Sequence, residues 1–178
     1  MKKQIGIFLS LLLLVNTGFI LKSDSQKTDT NAKIKAVFIY NFTKYIEWPS
    51  EDQADEFKIG ILGENAPLYF ELDKMSKLKK VANKSFTINS FESLKDIGQP
   101  HILYIPADKT ELLKEAVLKL KGKSTLIVTE KPGMALQGSA INFVIVGSHQ
   151  KFELNKANVS KHNLKVASIL ENLAVLVN

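Results

Sequence analysis

The sequence predicts an α/β fold: a three-layer, Rossmann-like sandwich with a mostly parallel sheet and an antiparallel C-terminal hairpin. Three observations carry this. From Phe57 onward, short apolar runs alternate with segments of helical period, the pattern of a parallel sheet covered on both faces. Two apolar strands then flank a Gly-Ser turn, adding an antiparallel edge of the kind mixed sheets carry. Finally, residues 32–178 are the length of one domain, with no need of disulfide or metal staples.

Residues 1–22 open with Lys2 and Lys3, followed by an apolar run from Ile5 to Val15 and then Phe19-Ile20-Leu21 before polar Lys22. That layout is a secretory signal peptide or, because no clear A-x-A cleavage site follows, an uncleaved N-terminal anchor. Ile5 to Leu21 is barely long enough to span a bilayer. Residues 23–31 are polar, lack periodicity and read as a linker. A helix starts near Thr30 or Asn31 and runs through "KAVFIYNFTKYIEWP" (Lys35 to Pro49), which holds five of the fifteen aromatics and the only tryptophan. Proline disfavours helical geometry in the residue before it, so the helix stops at Trp48-Pro49.

At 100° per residue Ile34, Phe38, Ile39, Phe42, Tyr45 and Ile46 fall within an arc of about 140°, a core-facing stripe. Val37, Tyr40 and Trp48 sit among the polar residues Lys33, Asn41, Thr43, Lys44 and Glu47. Amphipathic aromatics grouped on a polar face resemble an interface. These three are the expected partner contacts, unless another element covers them.

Phe57 to Leu62 is a strand, and Gly63-Glu64-Asn65 turns the chain. Pro67 suits the first turn of a helix, with Leu68, Leu72, Met75 and Leu78 as its stripe. Ser85 to Ile88 is a strand, followed by a short helical piece at Phe91 to Leu94. His101 to Ile105 reads as a buried strand, and Asp108 with Glu111 as a capping box. The next helix carries Leu112, Leu113, Ala116, Val117 and Leu120 and stops at Gly122. Thr125 to Val128 is a strand. Gly138 to Asn155 forms the hairpin around Gly147-Ser148-His149-Gln150, and a last apolar helix covers Val166 to Val175.

Composition excludes several functions. The chain has no cysteine, hence no disulfide, thiol chemistry, thiolate metal site or lipoprotein anchor. The net charge is +6, or 21 basic against 18 acidic residues without Lys2, Lys3 and Lys22, and every basic residue is lysine. Without arginine's fork, such a surface is no nucleic-acid reader. His101, His149 and His162 show no metal-ligand spacing and read as surface or strand-edge residues. No G-x-S-x-G, H-E-x-x-H, P-loop or dinucleotide fingerprint is present. No catalytic residue, metal or cofactor is expected.

In open α/β sheets, ligands bind beyond the carboxyl ends of the strands. Those ends carry Gly63, Glu64 and Asn65, then Ala107 and Asp108, then Glu130 and Gly133. Helix N-termini at Asn65 and Asp108 would aim N–H groups at this rim, an expected small-molecule site. The plainer reading makes Asn65 and Asp108 N-caps.

"KAVFIYNFTKYIEWP" resembles the opening signature of the YfiR-like family of exported bacterial proteins. The second signature is matched by Gly138-Ser139-Ala140-Ile141-Asn142-Phe143-Val144 and Phe152-Glu153-Leu154-Asn155, and "KVASILENLAVLV" is similar to the family's last segment. The resemblance implies a non-enzymatic periplasmic α/β domain at 32–178, exported by its signal peptide. It further implies a regulator that binds the periplasmic part of an inner-membrane signalling protein, of the diguanylate cyclase or sensor kinase type. It also implies a capacity to form homodimers. Redox control through disulfides, a feature of the family's best-known member, is impossible in a chain without cysteine. The alternative is a periplasmic module that binds a small molecule at the strand-end rim.

Overall fold

The computed structural model describes residues 29–49 and 55–178. The expected leader (1–22) and residues 23–28 of the linker lie outside them. Helix α1 (Thr30–Tyr45) begins where the Asp29 carboxylate accepts from the amides of Asn31 (2.9 Å) and Ala32 (3.3 Å), satisfying donors that a helix start leaves free. It ends ahead of Trp48-Pro49, because Ile46 is already extended and opens β1 (Ile46–Glu47).

The main sheet uses β2 (Glu56–Leu62), β3 (Ser85–Phe91), β4 (Ile102–Ile105), β5 (Leu126–Thr129), β6 (Ile141–Val146), β7 (His149–Asn155) and β9 (Val175–Val177). Their order is β3-β2-β4-β5-β6-β7-β9, antiparallel only between β6 and β7. A small second sheet pairs β1 with β8 (Lys165–Val166). The helices α2 (Ala66–Ser76), α3 (Leu113–Lys119), α4 (Lys156–Lys161) and α5 (Ser168–Leu173) complete the layers.

Side chains of a strand alternate between faces, and both faces are buried here. Ile59, Ile61, Ile102, Tyr104, Leu126 and Val128 join α1 and α2 in one core. Leu62, Leu103, Ile105 and Ile127 join α3 in another. The expected three-layer sandwich is therefore observed. The order reverses between β2 and β4, so the switch point lies where Gly63 and Pro106 leave the sheet.

Several local expectations change. The buried arc of α1 holds Ala32, Ala36, Ile39 and Phe42, rotated by roughly 70° from the expected stripe. Two alanines admit a close approach to the sheet, and Ile34 is left on the surface. Asp108 is no N-cap: Pro106 precedes a 3-10 helix over Ala107–Leu112 that has no side-chain cap. Asn65 does cap α2, its side chain accepting from Leu68 N at 3.3 Å. The hairpin turns on Gly147-Ser148 alone, with His149 already paired to Val146; Gly147 (φ +62°) suits such a turn.

The tail is not one helix. Val166 pairs with Ile46, α5 is short, and Val175 to Val177 form a strand parallel to β7. β-branched Val175 and Val177 favour extended backbone, and β7 offers an otherwise unpaired edge. Two histidines are also buried rather than superficial. His101 stacks on Phe57 (4.4 Å) and accepts from Lys58 N at Nδ1 (2.9 Å). His162 lies 3.2 Å from the Lys123 carbonyl. Burial lowers the pKa of His162, partly opposed by that carbonyl. His149 is exposed, as expected.

Candidate functional site

The strand-end rim is assembled by parallel pairing of β2, β4 and β5, which brings Gly63, Ala107 and Glu130 to one end of the sheet. Gly63 (φ +76°) makes the turn out of β2, and its amide donates to the Phe91 carbonyl at 2.7 Å. The Lys109 side chain lies across it: a Cβ on Gly63 would stand 2.9 Å from Lys109 Cε. Glu64, Ala107 and Asp108 are exposed, Asn65 is spent on α2, and Gly133 (φ +82°) opens a 3-10 helix over Met134–Gln137. Glu130 is the most engaged member. It pairs with Lys35 of α1 and accepts from Ala107 N (3.4 Å).

Beside Glu130 lies Tyr104, fully buried, with the Glu130 carboxylate as the acceptor its hydroxyl faces. Burial first, then the charge of Glu130 and hydrogen bonding to it, and last Asp108, push this phenol well above its ordinary pKa, so it stays protonated. Lys35 and Glu130 open onto a cleft of about 610 Å³ between the start of α1 and the β6–β7 hairpin, shared with Asn31, Gln150, Glu153 and Val175. The sequence reading missed Lys35. It falls on the buried arc of α1, but its partner is 95 positions away.

On α1, Lys33, Val37, Tyr40 and Lys44 form one stripe by their spacing. Val37 is 44% exposed. The Tyr40 ring packs on Phe86 (6.0 Å), its hydroxyl donates to the Lys80 carbonyl (3.1 Å), and Lys44 and Lys79 hold their ammonium groups 4.8 and 5.0 Å from the ring centre. Trp48 is turned elsewhere. It meets Phe57 edge-on at 5.0 Å and donates from Nε1 to the Ser124 carbonyl at 3.0 Å. Tyr40 and Trp48 are thus half-buried and packed against the core, while Val37 stands free of it.

The "GSAINFV" and "FELN" stretches are a buried polar clamp. The Thr129 hydroxyl donates to Asn142 Oδ1 (2.8 Å), which also accepts from Lys131 N (3.1 Å). Asn142 Nδ2 donates to Glu153 (2.8 Å), directly opposite on β7. The Ser139 hydroxyl donates to the Ile141 carbonyl. Asn155 and Asn158 both donate to the Ala135 carbonyl, at 3.1 and 2.9 Å. Gly138 (φ +121°) lets the chain pass Val117, which would be 3.0 Å from a Cβ. Each buried amide is satisfied, and the motif fixes hairpin register rather than a reaction. Among the described residues, no three His, Asp or Glu side chains are grouped to hold a metal. None of their helices is long and apolar enough to cross a membrane.

The C-terminal edge presents Ile169, Leu173, Val175 and Leu176, each 39–60% exposed. The expected apolar helix over Val166 to Val175 is replaced here by short α5 and β9. The paired valines at 175 and 177 were the signal for a strand.

A family model described as YfiR/HmsC-like matches residues 32–175, so nearly the whole described domain is covered. The chain belongs to the YfiR/HmsC-like family, a family of periplasmic, non-catalytic regulators that act in signalling through protein partners. A search of curated proteins found no match.

Proposed function

We propose that this YfiR/HmsC-like protein, exported on its N-terminal leader, regulates an inner-membrane signalling protein of the diguanylate cyclase or sensor kinase type. It does so by docking α1 on that protein's periplasmic part. The observation that carries this is the exposed Val37, set beside the Tyr40 ring and bordered by Lys33, Lys44 and Lys79. An apolar centre with a lysine rim fits a partner whose apolar spot is ringed by carboxylates. Val37, Tyr40 and Trp48 are the proposed contacts. Tyr40 and Trp48 also have intramolecular partners, so Val37 separates binding from folding most cleanly. Val37→Glu should weaken capture of the inner-membrane partner from envelope extract at least about tenfold, a difference of ~1.4 kcal/mol, with an unchanged melting temperature. Equal capture by the variant would contradict the reading.

A second reading places a small ligand at the rim formed by Gly63, Glu64, Asn65, Ala107, Asp108, Glu130 and Gly133. The buried, protonated Tyr104 hydroxyl beside Glu130 favours it, since a buried donor gains from an added well-placed acceptor. A bound ligand raises thermal stability with its concentration. Small polar metabolites that stabilise the protein but not Tyr104→Phe would support this reading. A shift that survives in Tyr104→Phe would remove it.

A further inference from the structure

We infer that the rim at the amino ends of the parallel strands, opposite Gly63 and Glu130, is a membrane-facing surface. Its lysines bind the anionic phospholipid headgroups of a bilayer, and two exposed leucines enter the layer beneath them. The amino ends of β2, β4 and β5 lie at this rim with the ends of α1, α2 and α3. Contacts between distant segments close it. The Trp48 indole donates to the Ser124 carbonyl, His162 lies against the Lys123 carbonyl, Tyr40 donates to the Lys80 carbonyl, and Glu47 pairs with Lys165.

Positive charge is concentrated here. The side chains of segments 44–49, 55–56, 73–85, 98–101, 119–125 and 155–166 include twelve lysines and four carboxylates, a balance of +8. Those of the other described residues include eight lysines and eleven carboxylates, a balance of −3. Adding Glu51 and Asp52, which lie outside the described residues, would still leave the rim at +6. Eleven of its twelve lysines are exposed. Helix ends account for some of them: Lys44, Lys74, Lys119 and Lys161 stand in last turns, where a cation complements the helix dipole. Lys79, Lys80, Lys84, Lys121, Lys123 and Lys165 lie beyond the helices, where the dipole asks for nothing.

Two leucines set this rim apart from an ordinary solvated lysine face. Leu78 (78%) and Leu118 (72%) are the most exposed large apolar side chains among the described residues, and neither belongs to a core. Leu78 stands within Lys77-Leu78-Lys79-Lys80 after α2, and Leu118 precedes Lys119, Lys121 and Lys123 at the end of α3. Binding to a bilayer surface combines attraction to anionic headgroups with burial of apolar side chains between them. A soluble polyanion would favour arginine forks, which this chain lacks, and would give the leucines nothing to enter. The rim meets the α1 stripe proposed above only at Lys44 and Lys79.

Flotation of the exported protein with vesicles of phosphatidylglycerol and phosphatidylcholine in equal parts tests this. Any retained part of the leader is common to all variants. Wild type should float, and less strongly at about 0.15 M salt than at low salt, because the lysines are screened. Lys80→Glu with Lys121→Glu should weaken binding at least about tenfold, each lysine at an anionic surface being worth roughly fivefold. Lys114→Glu with Lys151→Glu changes the net charge equally at exposed sites away from the rim and should keep most of the binding. Leu78→Ser with Leu118→Ser should weaken binding at both salt concentrations, since apolar burial is not screened. Melting temperatures should stay unchanged throughout. Equal loss in the two lysine variants, binding untouched by the leucine changes, or retention on immobilised heparin without flotation would overturn the inference. Val37→Glu leaves all these residues in place and should float like the wild type, so the α1 reading can fail without this one.

Discussion

The two ends of the sheet are built differently. At one end β3 runs seven residues, turns Phe86 and Ile88 into the core and shows solvent Ser85, Asn89 and Ser90. At the other end β9 runs three residues and shows Val175 and Leu176. The β3 strand itself turns mainly polar side chains to solvent, although Tyr69, Phe70 and Leu78 on and after the neighbouring α2 are exposed, and an added strand there would gain chiefly main-chain hydrogen bonds. The apolar end would gain those bonds and burial together, at about 25 cal/mol per Å² before the costs of association. The contrast teaches that an edge's side chains, more than its open backbone, decide whether it is finished or awaits a partner.

The largest expected effect tests whether the β9 end is tied to the core. Phe152 on β7 sits between Phe38 (5.6 Å) and Phe42 (5.2 Å) and supports the strand that holds β9. Phe152→Ala should cost ~3–5 kcal/mol in urea unfolding and should loosen β9 with it. A loss below about 1 kcal/mol would mean that β7 is not anchored as described.

A smaller effect comes from converting one end into the other. Asn89→Val with Ser90→Leu gives β3 an apolar edge. If both edges then take up further copies, open assemblies form, and light scattering should show growth with concentration. If particle size stays that of the wild type, side-chain character is not what distinguishes the ends.

The smallest effect is a pH dependence from His162. Its folded pKa lies below the ordinary 6.5 because it is buried, so the unfolded chain takes up a proton before the native one does. Stability is therefore full above pH 6.5 and falls as pH drops through and below that value. The melting temperature should decline by a few degrees on acidification from pH 7, and His162→Gln should lessen the decline. An equal decline in the variant would assign it to other groups.

The parallel body of the fold was legible because its strands are buried on both faces. "HILYI" and "TLIV" read as continuous apolar runs with no helical alternative of sufficient length. The Asn65 cap was legible because its signal is local. The tail was not. Its apolar residues satisfy a helical period as well as an extended one, and only the vacant edge of β7 selects the strand. The rotation of α1 was missed because Ala32 and Ala36 carry little hydrophobic weight, although their small size sets how closely the helix approaches the sheet. At the rim, Gly63, Glu130 and Ala107 were legible as strand ends. The Lys35–Glu130 pair and the buried Tyr104 hydroxyl depend on contacts between distant segments, which no spacing announces. Tyr40 and Trp48 looked like a shared patch by periodicity, yet the bend at Ile46 sends Trp48 towards Phe57 and Ser124.

The central claim is that the α1 stripe around Val37 is the surface this protein offers to an inner-membrane signalling protein. The most direct measurement places a photo-crosslinking residue at position 37, and at exposed position 118 as a control, in living cells and identifies what each captures. The account predicts an inner-membrane signalling protein at 37 and not at 118. The same capture at both positions, or none at 37, would contradict it.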